Sequence, residues 1–218
     1  GSADVLEALG VNVNLTADKV ASLVNEIGIA FMFAPNFHPA MRYAAPVRKK
    51  LGIRTIFNVL GPLANPASAT HQILGVYEAS LTEIMAEVLS KLGSEHVMVV
   101  HGEDGMDEIS ISSVTRVTEL KNKSITTYMI KPTDLGFDMA NLETIQVENV
   151  DASKAMMLDV LNGNKGPHRD ITLLNAGAAI YVSGLTSTLK EGIEKAASVI
   201  DQGLSLKKLE ALKVASHG

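Results

Sequence analysis

Cysteine is absent from the 218 residues, no apolar run reaches the length of a bilayer, and positive charge is in deficit. Without cysteine there is no disulfide framework and no thiolate ligand. Any metal must then be held by oxygen or imidazole groups, which favours hard cations such as magnesium. A spanning helix needs about 20 consecutive apolar residues. The longest runs here, such as residues 27–35, fall well short, and no charged start leads into a secretory apolar segment. With 19 basic against 24 acidic residues, a formal charge of -5 and a pI near 5.7, the chain lacks the broad basic surface of a general nucleic-acid binder. A local basic patch stays open. Internal repeats, low-complexity tracts and clear linkers are also missing. A cytoplasmic protein without nucleic-acid or membrane partners is expected.

What is present suffices for a sizeable core: 46% of residues are hydrophobic and 20% charged, enough for one domain, or one domain with a small subdomain. Ser2 is placed to cap a helix over 3–9 that Gly10 ends, and Thr16 to cap one over 17–27 ahead of Gly28. Residues 29–33 form a continuous apolar run between Gly28 and Pro35, the pattern of a strand buried on both faces. A helix should follow from Pro39 towards Leu51, with Pro46 as its weak point. Next come a strand over 72–77, a helix over 81–92 with Ser80 as cap and Gly93 as stop, and a buried strand over 96–101. That crossover predicts parallel strands with ligand groups at their carboxyl ends. Residues 108–120 and 124–130 read as a hairpin turning at 121–123, which makes the sheet mixed. Residues 132–150 read as irregular. Helices are expected over 152–161, 170–183, 189–202 and 206–215, from apolar spacings of three and four.

The densest chemistry lies in the loop after residues 96–101, where Glu103, Asp104, Asp107 and Glu108 fall within six positions. Carboxylates this close repel one another unless a cation, basic groups or water intervene. A loop at a strand's carboxyl end suits magnesium, which takes carboxylates, waters and substrate phosphates. In an extended stretch Asp107 and Glu108 would point to opposite faces and so serve two ions rather than chelate one. The alternative is a solvated turn at Asp104-Gly105.

Arg48, beside Lys49 and Lys50, offers a two-pronged pair to a substrate carboxylate. On sequence alone the simpler reading prevails: three cations complementing a helix C-terminus, each worth roughly 0.3 to 1 kcal/mol. His38 contacts a substrate or caps the helix opened by Pro39, and capping is the default. Residues 58–62 form a turn in which Gly61 lets the backbone approach a flat ligand, or they end an apolar segment. Ser2 caps its helix and can also donate to a phosphate there. The small residues of 173–179 read as close helix packing, with no chemistry assigned.

Taken together, residues 1–10, the run from Phe33 to Arg42 with Arg48, residues 57–66, the acidic loop 102–108 and residues 169–177 resemble the anthranilate phosphoribosyltransferase family. The likeness extends over nearly the whole chain. The first motif has a similar counterpart in pyrimidine nucleoside phosphorylases, whereas the second and third, with the acidic loop, are specific to the transferase in their order and spacing.

The resemblance implies an α/β fold with a mixed, largely parallel central sheet flanked by helices, the nucleoside phosphorylase/phosphoribosyltransferase catalytic domain. It implies magnesium-dependent transfer of a phosphoribosyl group from phosphoribosyl pyrophosphate to anthranilate, in tryptophan biosynthesis. By carry-over, Arg48 holds the anthranilate carboxylate, while His38, Pro35, Gly61 and Pro62 line the anthranilate path. Asp107 and Glu108 bind Mg2+, and Ser2 touches phosphoribosyl pyrophosphate. No side chain is assigned as a general acid or base. Family members also carry an N-terminal helical domain, a glycine-rich pyrophosphate loop and a Lys-His-Gly-Asn-Arg stretch, none of them in this sequence. Residues 1–218 are therefore expected to be the C-terminal catalytic part of a longer parent, inactive alone, and the parent a homodimer. A nucleoside phosphorylase-like enzyme and a non-catalytic ligand-binding fragment are the competing readings.

Overall fold

A computed structural model describes residues 1–38, Tyr43, Lys50 and residues 57–218. They divide into two compact units, one of Gly1–Gly61, Val147–Asn162 and Gly203–Gly218, the other of Pro62–Gln146 and Gly163–Gln202.

The first unit is helical. Helices Ser2–Ala8, Ala17–Ile27, Val150–Leu161 and Leu204–His217 enclose a core of Val5, Leu9, Val11, Leu15, Val20, Leu23, Leu209 and Leu212. Thr16 caps its helix as expected, accepting from the Lys19 N–H at 3.3 Å. Ser2 does not cap: the helix begins one residue earlier than expected, with Gly1 at the cap, so Ser2 is already helical and its side chain is exposed. The last helix is fastened by Asn12, whose N–H donates to Ser216 Oγ at 3.0 Å and whose Nδ2 donates to the Ser216 carbonyl at 3.3 Å.

Residues 29–33 do not form the expected strand. They find no ladder partner among the described residues, and Ile29 is 43% exposed. An apolar run becomes a strand only when its backbone groups are paired. The helix expected over 39–51 lies outside the described residues, apart from Tyr43 and Lys50, which are helical.

The second unit holds the sheet, in the order β1 (His71–Gly75), β2 (His96–Gly102), β3 (Thr115–Lys121), β4 (Ser124–Ile130). Helix Leu81–Lys91 carries the chain from β1 to β2, which run parallel from His71↔His96 to Gly75↔Val100. β2–β3 and β3–β4 are antiparallel. The sheet is thus mixed, as expected, and among the described residues antiparallel pairs outnumber the parallel one. The β3–β4 turn places Asn122 and Lys123 at φ +52° and +64°, the left-handed pair of a two-residue hairpin. Every residue of β2 is buried.

Helices Pro167–Val182 and Leu189–Asp201 pack in direct contact through Gly177, where a Cβ would fall 2.7 Å from the Ile193 backbone. The expectation of close packing over 173–179 holds at this residue. Arg169, 1% exposed, binds the Gly163 carbonyl at 3.1 Å and Asp201 at 2.8 Å, tying the start of one helix to the end of the other.

Candidate metal and substrate site

Because β1 and β2 are parallel, their carboxyl ends lie on the same edge of the sheet, and the acidic loop leaves from Gly102 at that edge. The chain reverses there at once: the Gly105 N–H donates to the Gly102 carbonyl, and the Gly102 N–H to the Met106 carbonyl, both at 2.8 Å. Gly105 sits at φ +92°, a conformation glycine adopts without strain.

The four carboxylates of this loop divide into distinct roles. Asp104 turns inward and accepts from Ser110 Oγ at 2.5 Å, from Ser112 Oγ, and from the Met106 N–H at 3.3 Å. Burial works to raise its carboxyl, but these donors outweigh it and hold Asp104 below the usual carboxylate range. Asp104 therefore braces the loop. Glu103 is exposed, and its N–H donates to the Val114 carbonyl at 2.9 Å.

Asp107 and Glu108 remain. Among the described residues no hydrogen bond or ion pair reaches either carboxylate. Glu108 reaches solvent, yet the protein packed around it, and then the charges of Asp107 and Asp104, push its carboxyl above the usual range. The pair is seated from below by β1: a Cβ on Gly75 would lie 1.5 Å from the Asp107 carbonyl oxygen, so only glycine allows this approach. It is seated from the side by Asn175 on helix Pro167–Val182. The Ile109 N–H donates to Asn175 Oδ1, and Asn175 Nδ2 donates to the Ile109 carbonyl, each at 2.9 Å. Sequence reasoning missed Asn175, because it lies in a stripe of small residues and its partner is 66 positions away.

The other expected site residues fall as follows. Pro35 is exposed in the short helix Ala34–Phe37, and the half-buried His38 ends that helix, its N–H donating to the Ala34 carbonyl at 3.0 Å. The helix that His38 is expected to cap, opened by Pro39, lies outside the described residues. Gly61 and Pro62 lie inside helix Phe57–Leu63, not in a turn. Pro62 has no N–H to continue the helical ladder, and the helix ends one residue later. Pro62 also borders a cavity of about 190 Å³ with Asn65, Thr70, Gln72 and Ser94, and the Gln72 amide nitrogen is buried without a partner among the described residues. Arg48 lies outside the described residues. A second concavity, of about 350 Å³ beside β4, is lined by Tyr128, Leu135, Tyr181 and Leu189 and includes none of the acidic loop. Among the described residues no three His, Asp or Glu side chains gather closely enough to hold a metal by themselves, and no helix is long and apolar enough to cross a membrane.

An acidic loop at the carboxyl edge of a mixed sheet flanked by helices is an arrangement suited to chemistry on phosphorylated ligands. The chain belongs to the glycosyl transferase family, a/b domain, whose model matches residues 1–206. It is 56% identical over 217 residues to the anthranilate phosphoribosyltransferase of Methylobacillus flagellatus, covering all of this chain and 64% of the relative. Identity to that of Nitrosomonas europaea is 51% over 212 residues, with 97% and 62% covered. Among solved structures, the anthranilate phosphoribosyltransferase of Thermus thermophilus superposes with a TM-score of 0.92 at 40% identity, covering all of this chain and 65% of that one. The Saccharomyces cerevisiae enzyme in complex with PRPP and Mg gives 0.91 at 30% identity, covering all of this chain and 63% of its own. The chain thus spans a little under two thirds of the length of these relatives.

Proposed function

We propose that the intact protein transfers the phosphoribosyl group of phosphoribosyl pyrophosphate to the amino group of anthranilate, giving N-(5-phosphoribosyl)anthranilate and pyrophosphate, in tryptophan biosynthesis in the cytoplasm. The observation that carries this reading is the Asp107–Glu108 pair at the carboxyl edge of β1 and β2, without a partner among the described residues. Its setting is a chain that matches such transferases along its whole length. The donor set fits magnesium: two hard carboxylates, one held above its usual range by burial and uncompensated like charge, with the rest of the shell left to waters and phosphate oxygens. When bound, Mg2+ offsets charge growing on the departing pyrophosphate.

The chain's own residues supply position. Asp104 and Asn175 hold the loop, and Asp107 and Glu108 present their oxygens to the cation. Arg48 orients anthranilate through its carboxylate, Pro35, His38, Gly61 and Pro62 line its path, and Ser2 meets phosphoribosyl pyrophosphate. The aromatic amine already carries a nucleophilic lone pair, so orientation matters more than a strong base. A homodimer is proposed for the intact protein.

Steady-state kinetics of the intact protein test this. Arg48→Ala should raise KM for anthranilate about ten- to a hundredfold, the value of roughly 1.5 to 3 kcal/mol in charge-assisted hydrogen bonds, with little change for phosphoribosyl pyrophosphate. Equal effects on both substrates remove the assigned role. Turnover of pyrimidine nucleosides instead of anthranilate replaces the reading with a phosphorylase.

A further inference from the structure

Asn175 does more than fill a helix face. Its side-chain amide makes three bonds: Oδ1 accepts from the Ile109 N–H at 2.9 Å, while Nδ2 donates to the Ile109 carbonyl at 2.9 Å and to the Ile171 carbonyl at 3.0 Å. The third bond ties the amide to its own helix and fixes its orientation. The first two close on both polar groups of a single backbone residue, as a neighbouring strand would. Ile109 is 1% exposed, so water cannot readily replace these bonds, and leaving them unmade carries the cost of buried unsatisfied groups.

The clamped residue directly follows Glu108. On the preceding side, the Asp107 carbonyl rests against Gly75, with no room for a Cβ. The peptide that carries both carboxylates is therefore pinned at its two ends, by β1 and by helix Pro167–Val182. An amide side chain offers a donor and an acceptor side by side, which an ionised carboxylate does not. Aspartate keeps the acceptor and loses both donors; glutamine is one carbon too long for the same reach.

We infer that Asn175 is a positioning residue for the Asp107–Glu108 pair, fixing the backbone geometry in which the two carboxylates meet a divalent cation. This rests on the metal reading given above. Outer groups that orient metal ligands typically contribute about ten- to a hundredfold in affinity. Asn175→Ala should therefore weaken cation binding about tenfold or more and leave KM for anthranilate unchanged.

The test measures Mn2+ binding by electron paramagnetic resonance, and Mg2+ by competition, in the intact protein and in its Asn175→Ala, Asn175→Asp and Asp107→Asn variants. Amide hydrogen exchange at Ile109 is followed in parallel. The expected result is faster Ile109 exchange and weaker Mn2+ binding in Asn175→Ala, with Asn175→Asp intermediate in exchange. Faster exchange with unchanged Mn2+ affinity, while Asp107→Asn abolishes binding, overturns the positioning role and leaves the metal reading standing. Unchanged affinity in Asp107→Asn overturns both. If Asn175→Ala does not fold, Asn175→Asp decides by the same comparison.

Discussion

Two glutamates at opposite ends of β2 respond to the fold in opposite directions. Glu119, opposite Met98 on β3, is 8% exposed and takes a hydrogen bond from Tyr128 at 2.7 Å and one from Tyr181 at 2.8 Å, with His96 Nε2 at 2.7 Å. Burial works to raise its carboxyl, but these partners outweigh it and hold Glu119 below the usual range. Glu108, just beyond the other end of the strand, has more solvent and yet is pushed up, first by the protein around it and then by Asp107 and Asp104. At the His96 end the fold has completed its own electrostatics. At the Gly102 end it has set two carboxylates on adjacent residues with no counter-charge among the described residues, the charge that the proposed cation would offset.

The sharpest way to break this contrast is to neutralise the incomplete end. Asp107→Asn with Glu108→Gln should reduce Mg2+ affinity by about a hundredfold or more, beyond the range typical of outer groups, as read by calorimetric titration of the intact protein. The thermal midpoint should not fall, since like-charge repulsion is removed and neither carboxylate gives up a bond to any of the described residues. A fall in the midpoint with unchanged Mg2+ affinity would make the pair structural, equivalent to the other end of the strand.

The scaffold that carries this contrast is largely legible in the sequence, the contrast itself much less. The β1–helix–β2 crossover, the hairpin at Asn122-Lys123 and the Thr16 cap follow from local signals that need no distant partner. The acidic loop is legible as a cluster but not as a division of labour. Residue type alone does not separate Asp104, satisfied by Ser110 and Ser112, from Asp107 and Glu108, which have no such partner among the described residues; only the family resemblance singles out the latter two. Asn175 and the network around Glu119 are invisible for a related reason: their bonds join residues that no local pattern connects. Residues 29–33 fail in the other direction. Their composition suits a buried strand, but strand formation also requires a neighbour, which composition does not encode.

At the completed end, removing the acceptor should cost stability rather than binding. Glu119→Ala leaves the Tyr128 and Tyr181 hydroxyls and His96 Nε2 without their common partner, at about 1 to 3 kcal/mol for each buried group that stays unpaired. A loss of about 3 kcal/mol is expected, or roughly 6 to 12 °C in thermal midpoint for a chain of this size. Mg2+ affinity should match the parent protein. A variant that loses cation binding without losing stability would mean that the two ends are coupled and the contrast is false.

The smallest effect separates charge from shape at the same position. Glu119→Gln keeps the volume and one acceptor oxygen but removes the charge that Tyr128, Tyr181 and His96 surround and that Lys121, bound to the Tyr181 hydroxyl at 3.0 Å, faces from the same network. Because the folded carboxyl is held below its unfolded value, its stabilisation is fully present above the unfolded value, about 4.3 for glutamate. It is lost as pH falls through the folded value. Urea midpoints at pH 7, 5, 4 and 3 should therefore decline less steeply in Glu119→Gln than in the parent protein, the two curves converging at the acid end. Parallel curves would show that the hydrogen bonds, and not the ionised state, account for the stability of this cluster.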